Sequence, residues 1–152
     1  MLLRESLARR AGNLEMKFKT LTGRLKEVNV KPYLIDYNND SLSDFQYNIK
    51  TFLKPYWQYD VVCEELPVAG TKLRFDFINL NKHIVVEANG IAHLDPKSHF
   101  HGGSKTKWLS QIKRDMLKHK WCEINGYTLV EIEPDDIPLS KDFFLKEYNI
   151  KL

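Results

Sequence analysis

Two neighbouring strand patterns joined by a tight turn constrain the fold of this chain more than any other feature. Lys72–Ile78 alternates apolar and polar residues, and Ile84–Glu87 is apolar until its last position. The four residues Asn79–Lys82 between them are typical of a turn. The pattern therefore predicts an antiparallel hairpin, with a second strand that is buried on both faces in the middle of a sheet.

Each strand of this hairpin carries one acid. Asp76 lies within the first strand and Glu87 ends the second, eleven positions later. Two carboxylates on one sheet face repel each other unless a cation neutralises them, and Mg²⁺ prefers such oxygen ligands. This arrangement favours a metal site for phosphodiester hydrolysis. The alternative is a solvated pair, with Asp76 pointing away from Phe75 and Phe77 into water.

The flanking segments predict the remaining elements of the core. Residues 41–57 have helical spacing, with Ser41 or Ser43 as the cap and Pro55 ending the helix soon after Leu53. A first strand is predicted around Val61–Cys63. After a long loop, a second helix ends at Asn125-Gly126, and Tyr127–Ile132 forms the last strand. The apolar face of this second helix comprises Trp108, Ile112, Met116, Leu117 and Trp121.

The predicted order is α-β-β-β-α-β, which indicates an α/β fold with a mixed four-stranded sheet flanked by helices. The chain divides into a basic N-terminal arm, residues 1–40, a core, 41–137, and a C-terminal tail, 138–152. In residues 16–30 the pattern leaves helix and strand undecided.

The net charge of +3 is small, but the basic residues are unevenly distributed along the 152 residues. Residues 1–31 contain eight Lys or Arg against three Glu, and the stretch 97–120 contains one acid, Asp115, among its many basic residues. Such blocks suit a polyanion such as DNA, although exposed basic faces also occur without one.

The two cysteines, Cys63 and Cys122, are too few and too far apart for a disulfide framework or a zinc motif. We expect buried free thiols. The N-terminal residues lack the apolar core of a signal peptide, and no apolar run reaches membrane-spanning length. We therefore expect an intracellular, cytoplasmic protein that does not span a membrane.

Polar residues after Glu87 extend the candidate site. His93 follows a glycine and is a candidate general base or phosphate-orienting group. Asn89 is a candidate for holding a water or a phosphate oxygen, although Asn-Gly is also an ordinary turn. His99 and His101 would suit zinc with His93, but no cysteine is nearby, and phosphate contacts by the loop lysines fit better. The alternative is a solvated loop.

The runs RFDF, IVVEANGIAH and DMLKHKWCEINGYTLVEI together resemble the PD-(D/E)XK nuclease superfamily, in particular the branch similar to very-short-patch repair endonucleases. The resemblance covers roughly residues 41–133. It implies a restriction-endonuclease-like core and a Mg²⁺-dependent DNA endonuclease, with Mn²⁺ as a substitute, of the kind found in DNA repair, recombination, phages or mobile elements. The matching site positions are Asp76, Glu87, His93, Asp115 and Lys118, with the Ala88 carbonyl as a further metal ligand.

Within this resemblance, Asp115 would orient His93 or bind through water. The superfamily's lysine, two residues past the strand-end acid, is replaced here by Asn89, and relatives in this branch use histidine instead. The acid on the first helix is best matched by Asp44, with Glu64 or Glu65 as substitutes. The expected DNA-backbone contacts are Lys72, Arg74, Lys97, Lys105, Lys107, Lys113, Arg114 and Lys118.

Three alternatives remain open from the sequence. The first is a nuclease fold that binds DNA or assembles without cutting it, and the second is an RNA-processing nuclease. In the third, the acids are ordinary surface residues. A single chain that nicks and a homodimer that cuts both strands are equally compatible with the pattern.

Overall fold

The computed structural model describes residues 13–89 and 105–152 of the chain. In these ranges the strands are β1 (Glu15–Lys19), β2 (Leu25–Asn29), β3 (Val62–Pro67), β4 (Arg74–Asn79), β5 (Ile84–Ala88) and β6 (Thr128–Ile132). The α-helices are α1 (Asp44–Trp57), α2 (Lys105–Asn125) and α3 (Lys141–Tyr148). Short 3-10 helices span Lys31–Tyr33 and Pro134–Asp136.

Four strands form the central sheet in the order β3-β4-β5-β6. The β3–β4 and β4–β5 pairs are antiparallel, whereas β6 runs parallel to β5 after the connection through α2. The predicted α/β class, the mixed four-stranded sheet and the α-β-β-β-α-β order are therefore confirmed. The antiparallel hairpin around Asn79–Lys82 is also as predicted.

Both faces of this sheet are covered, which explains the apolar run in β5. On one face, Val85 packs with Phe18 of the β1–β2 hairpin and with Trp121 of α2. On the other face, Val86 packs with Leu53 of α1 and Phe144 of α3. The sheet is thus the middle layer of three, and consecutive residues of its central strand belong to opposite cores.

Helix α1 begins as the sequence predicts but ends later. Ser43 is the cap, its hydroxyl accepting a hydrogen bond from the Gln46 amide at 3.1 Å. The prediction that Pro55 ends the helix soon after Leu53 is wrong, because the helix continues to Trp57. Pro55 lies in the last turn, where its missing amide removes one hydrogen bond and the following residues still pack into the core.

Only the second half of α2 forms a buried face. Trp121 is buried as predicted, but Met116 is 66% exposed, so the expected continuous apolar face is wrong at that position. The reason is the angle around the helix. Met116 precedes Trp121 by five residues, which places the two side chains about 140° apart, so Met116 points away from the sheet while Trp121 packs on it.

The two terminal segments pack on the core within the described part of the chain. Residues left undecided by the sequence form the β1–β2 hairpin, in which Phe18 contacts the Trp121 ring at 5.3 Å between centroids. In the C-terminal tail, Phe144 of α3 is fully buried. The division at residues 40 and 138 stays a prediction, and these contacts show how closely the segments adjoin the core.

Both cysteines are free and buried, as the sequence predicts. Within residues 13–89 and 105–152, no helix is both long and apolar enough to cross a membrane.

Candidate active site

The candidate site lies where strands β4 and β5 stop pairing through their backbones. In their ladder Asn79 pairs with Ile84 at one end and Phe77 pairs with Val86 at the other, where the pairing stops. At the next position, the Asp76 amide donates to Glu87 Oε2 at 2.6 Å, and the Ala88 amide donates to Asp76 Oδ2 at 2.7 Å. Each carboxylate therefore satisfies a main-chain donor of the other strand, and the two acids lie side by side at the end of the ladder.

A residue with a left-handed backbone lies in β3 next to this point. The pairs Glu64–Phe77 and Leu66–Phe75 place Glu65 opposite Asp76, and Glu65 has a left-handed backbone with φ of 59°. Phe75 and Phe77 consequently pack in opposite cores, although alternation predicts a shared face. The simple picture of Asp76 facing water, away from both rings, is therefore wrong, because the strands do not alternate regularly here.

Burial disfavours the simultaneous ionisation of Asp76 and Glu87. Glu87 is 5% exposed, and Asp76 is partly buried beside it. Removal from water, and then the charge of Glu87, raise the pKa of Asp76 to about 8. Burial also raises the pKa of Glu87, against the lowering effect of Lys118. A site of this kind favours either a shared proton or an added cation.

Lys118 of α2 supplies the positive charge next to the pair. Its ammonium donates to Glu87 Oε1, so both oxygens of Glu87 are engaged. Among the described residues, Asp76 Oδ1 has no hydrogen-bond donor, which leaves it available to a ligand. The sequence-based prediction treats Lys118 as a DNA-backbone contact, whereas the structure places it against a candidate metal ligand.

A small cleft of about 180 Å³, including its open mouth, adjoins the Lys118–Glu87 pair. It brings Asp115 together with Glu87, and Asp115 accepts a hydrogen bond from Gln111 at 3.0 Å. The residues that line the cleft are Glu87, Asn89, Asp115, Lys118, His119, Leu129 and Glu131.

A second polar group in the cleft was missed by sequence reasoning. Glu131 of β6 is the register partner of Glu87, and its Oε1 lies 2.5 Å from His119 Nε2. The Asn89 side chain donates to the other oxygen, Oε2, at 2.7 Å. The signal available in the sequence was the consecutive pair Lys118 and His119 on α2. In the structure these two side chains face the acids of two paired strands.

Asp44, the predicted first-helix acid, is exposed at the start of α1, and no hydrogen bond or ion pair among the described residues joins it to Asp76 or Glu87. The α1 residue that reaches towards the site is Gln46, which donates to Glu65 Oε1 at 3.1 Å and to Glu64 Oε2 at 3.0 Å. Glu65 also contributes to the raised pKa of Asp76. The structure therefore favours Glu65 over Asp44 as the third acid near the pair.

Two predicted residues, His93 and Lys97, lie outside the described residues. The other predicted DNA contacts, apart from Lys118, are exposed and lie on β4, on the turn before it or on α2: Lys72, Arg74, Lys105, Lys107, Lys113 and Arg114. Within residues 13–89 and 105–152, no three His, Cys, Asp or Glu side chains are grouped closely enough to hold a metal ion by themselves.

The chain is similar to uncharacterized protein 033L of Invertebrate iridescent virus 3, with 36% identity over 74 residues. The match covers 49% of this chain and 37% of the viral protein, so the chain corresponds to little more than a third of that protein's length. No family model matches the chain. No solved structure matches it either.

Proposed function

We propose that this protein is a Mg²⁺-dependent DNA endonuclease with a restriction-endonuclease-like core. The observation that carries the proposal is the buried Asp76–Glu87 pair at the end of the β4–β5 ladder, with Lys118 against it. A protein does not ordinarily keep two buried acids together without a cation or a shared proton, because their desolvation and repulsion are costly.

The donor set fits a hard divalent cation. Asp76 offers Oδ1, Glu87 offers Oε1, which now accepts from Lys118, and Glu65 lies opposite Asp76 in the register. Mg²⁺ binds through one or two carboxylates and keeps several waters, so it does not require a cage of three acids. When bound, it would lower the pKa of a coordinated water and offset charge on the scissile phosphate.

The chain's own residues would hold and neutralise the substrate. The main-chain amides of Asp76 and Ala88 fix the two carboxylates, so that neither swings away when a phosphate approaches. Lys118 would leave Glu87 for the phosphate, because an ammonium group stabilises the charge that develops on its oxygens. The Asn89 side-chain amide would hold the Glu131 carboxylate, to which it donates.

The test is nicking of supercoiled plasmid DNA with Mg²⁺ or Mn²⁺. Wild-type protein should convert the plasmid to open circles, whereas Asp76→Asn and Glu87→Gln should leave it intact while keeping a cooperative thermal transition. Glu123→Gln is the matched control, because Glu123 is exposed on α2 and its loss should change nothing. If both site variants nick at the wild-type rate, the assignment is wrong.

Two further measurements, a gel-shift assay with DNA and a cleavage competition with RNA, separate the alternative functions. Retarded migration of DNA with no strand scission in either metal would identify a binding module that does not cut. Preferential cleavage of single-stranded RNA in competition with duplex DNA would identify an RNA-processing nuclease.

A further inference from the structure

Two acids on adjacent parallel strands are each bound by one of two consecutive helix residues. Glu87 and Glu131 are register partners, so their side chains leave the same face of the sheet. Above them, Lys118 binds Glu87 and His119 binds Glu131. Glu87 of the candidate metal pair therefore lines the same cleft as the His119–Glu131 pair.

His119 is held in a way that suits proton transfer. Its Nε2 lies 2.5 Å from Glu131 Oε1, and the second oxygen of Glu131 accepts the Asn89 amide at 2.7 Å, which fixes the carboxylate. An imidazole that donates Nε2–H to a carboxylate presents a lone pair on Nδ1. His119 is 56% exposed, so a water molecule can reach it.

The contacts that fix His119 and Glu131 are more than the small stability of a surface pair would explain. An exposed histidine and a carboxylate contribute about 1 kcal/mol or less as a surface pair. Glu131 is 20% exposed and is bound from both sides, and its backbone amide is also bonded, to the Tyr148 hydroxyl at 3.0 Å. Three elements thus converge to orient one histidine that lines the same cleft as Glu87.

We propose that His119 is the general base of the phosphodiester cleavage, and that Glu131 and Asn89 are positioning residues that orient its ring. The inference rests on the proposed function and names a proton acceptor within it. A water oxygen attacks phosphorus, and its proton passes to Nδ1 of His119. The bond from phosphorus to the leaving oxygen breaks, that oxygen takes a proton from solvent, and the imidazolium returns its proton to solvent.

The test measures single-turnover cleavage of duplex DNA at saturating Mg²⁺. His119→Ala should lower the rate by about 10²- to 10⁴-fold, the usual contribution of a general base, with DNA affinity and the thermal midpoint unchanged. Added imidazole should restore part of the rate by entering the vacated space. Mg²⁺ suits this experiment because it prefers oxygen ligands to imidazole nitrogen.

His83→Asn is the matched control. His83 lies in the β4–β5 turn with φ of 56°, a backbone conformation that asparagine accepts, and its ring stacks on Tyr127 away from the cleft. Glu131→Gln should lower kcat by about 10- to 100-fold, as for other groups that orient a functional histidine, while KM for DNA stays at the wild-type value.

The outcomes separate this inference from the proposed function. If wild type cleaves and His119→Ala cleaves within threefold of it, or if its lost activity is not restored by imidazole, the general-base assignment is overturned and the nuclease stands. If wild type produces no strand breaks while it still folds, the proposed function fails and the assignment fails with it.

Discussion

Glu87 and Glu131 lie side by side on the parallel strands β5 and β6, and consecutive residues of α2 bind them. Lys118 points towards β5 and His119 points towards β6, because successive side chains of a helix diverge by about 100°. The helix therefore lies above both strands and supplies each acid with its own partner, an ammonium group for Glu87 and an imidazole N–H for Glu131. This relationship links the candidate metal site to the remainder of the cleft.

The Lys118–Glu87 pair should be a large contributor to stability. In EDTA, Lys118→Met should lower the free energy of unfolding by about 3–5 kcal/mol, because it leaves a carboxylate buried without its cation. The double variant Lys118→Met/Glu87→Gln should recover much of this loss, since the remaining amide is neutral. Urea denaturation measures both, with the exposed Lys120→Met as control. A double variant as unstable as the single one would contradict a direct pair.

The stability of the metal-free protein should depend on pH through Asp76. Its pKa is raised to about 8 by burial and by Glu87, whereas an unfolded aspartate titrates near 3.8. Between these values the folded state holds a proton that the unfolded state has lost, so stability should fall as pH rises from about 4 to about 8.

The measurement for Asp76 is the free energy of unfolding in EDTA from pH 5 to pH 9. Wild type should lose stability relative to Asp76→Asn over this range, because the variant carries no proton to lose. Subtracting the two curves removes the contribution of every other group. Parallel curves would mean that Asp76 ionises normally in the folded protein.

Asn125 should anchor the β1–β2 hairpin to the end of α2. Its side chain donates to the Lys19 carbonyl at 2.9 Å and accepts from the Lys19 amide at 2.8 Å, as a strand partner would. Asn125→Ala should therefore cost about 1–3 kcal/mol and speed hydrogen exchange at the Lys19 amide. Glu123→Ala, an exposed change on the same helix, is the control. Unchanged exchange at Lys19 would show that Asn125 does not anchor the hairpin.

The fold was predictable where local pattern decides it. Alternation and turn residues predicted the β4–β5 hairpin, and the apolar run before Glu87 in β5 predicted a strand covered on both faces. The pattern failed for Met116, because the predicted apolar residues of α2 spread too widely around the helix for all of them to face the sheet.

For the site, the sequence indicated Asp76, Glu87 and Asp115 as candidates, of which Glu87 lies beside Asp76 and in one cleft with Asp115. It missed His119, because the partner that gives this histidine a role, Glu131, comes from another element and only the register of parallel strands brings it near. Contacts of that kind depend on tertiary geometry, which local spacing does not encode.

The first turn of α2 should contribute directly to DNA binding. Lys105 and Lys107 are exposed there, and the turn contains no acid to oppose them. Each phosphate contact releases counterions and contributes about 0.9 to the slope of log affinity against log salt, so Lys105→Ala/Lys107→Ala should reduce that slope by nearly two. Fluorescence anisotropy with labelled duplex DNA at several salt concentrations measures this slope.

The control is Lys146→Ala/Lys151→Ala, which removes equal charge from α3 and the C-terminus, on the other side of the sheet, and should leave the slope unchanged. Equal slopes for both double variants would mean that DNA does not contact the start of α2.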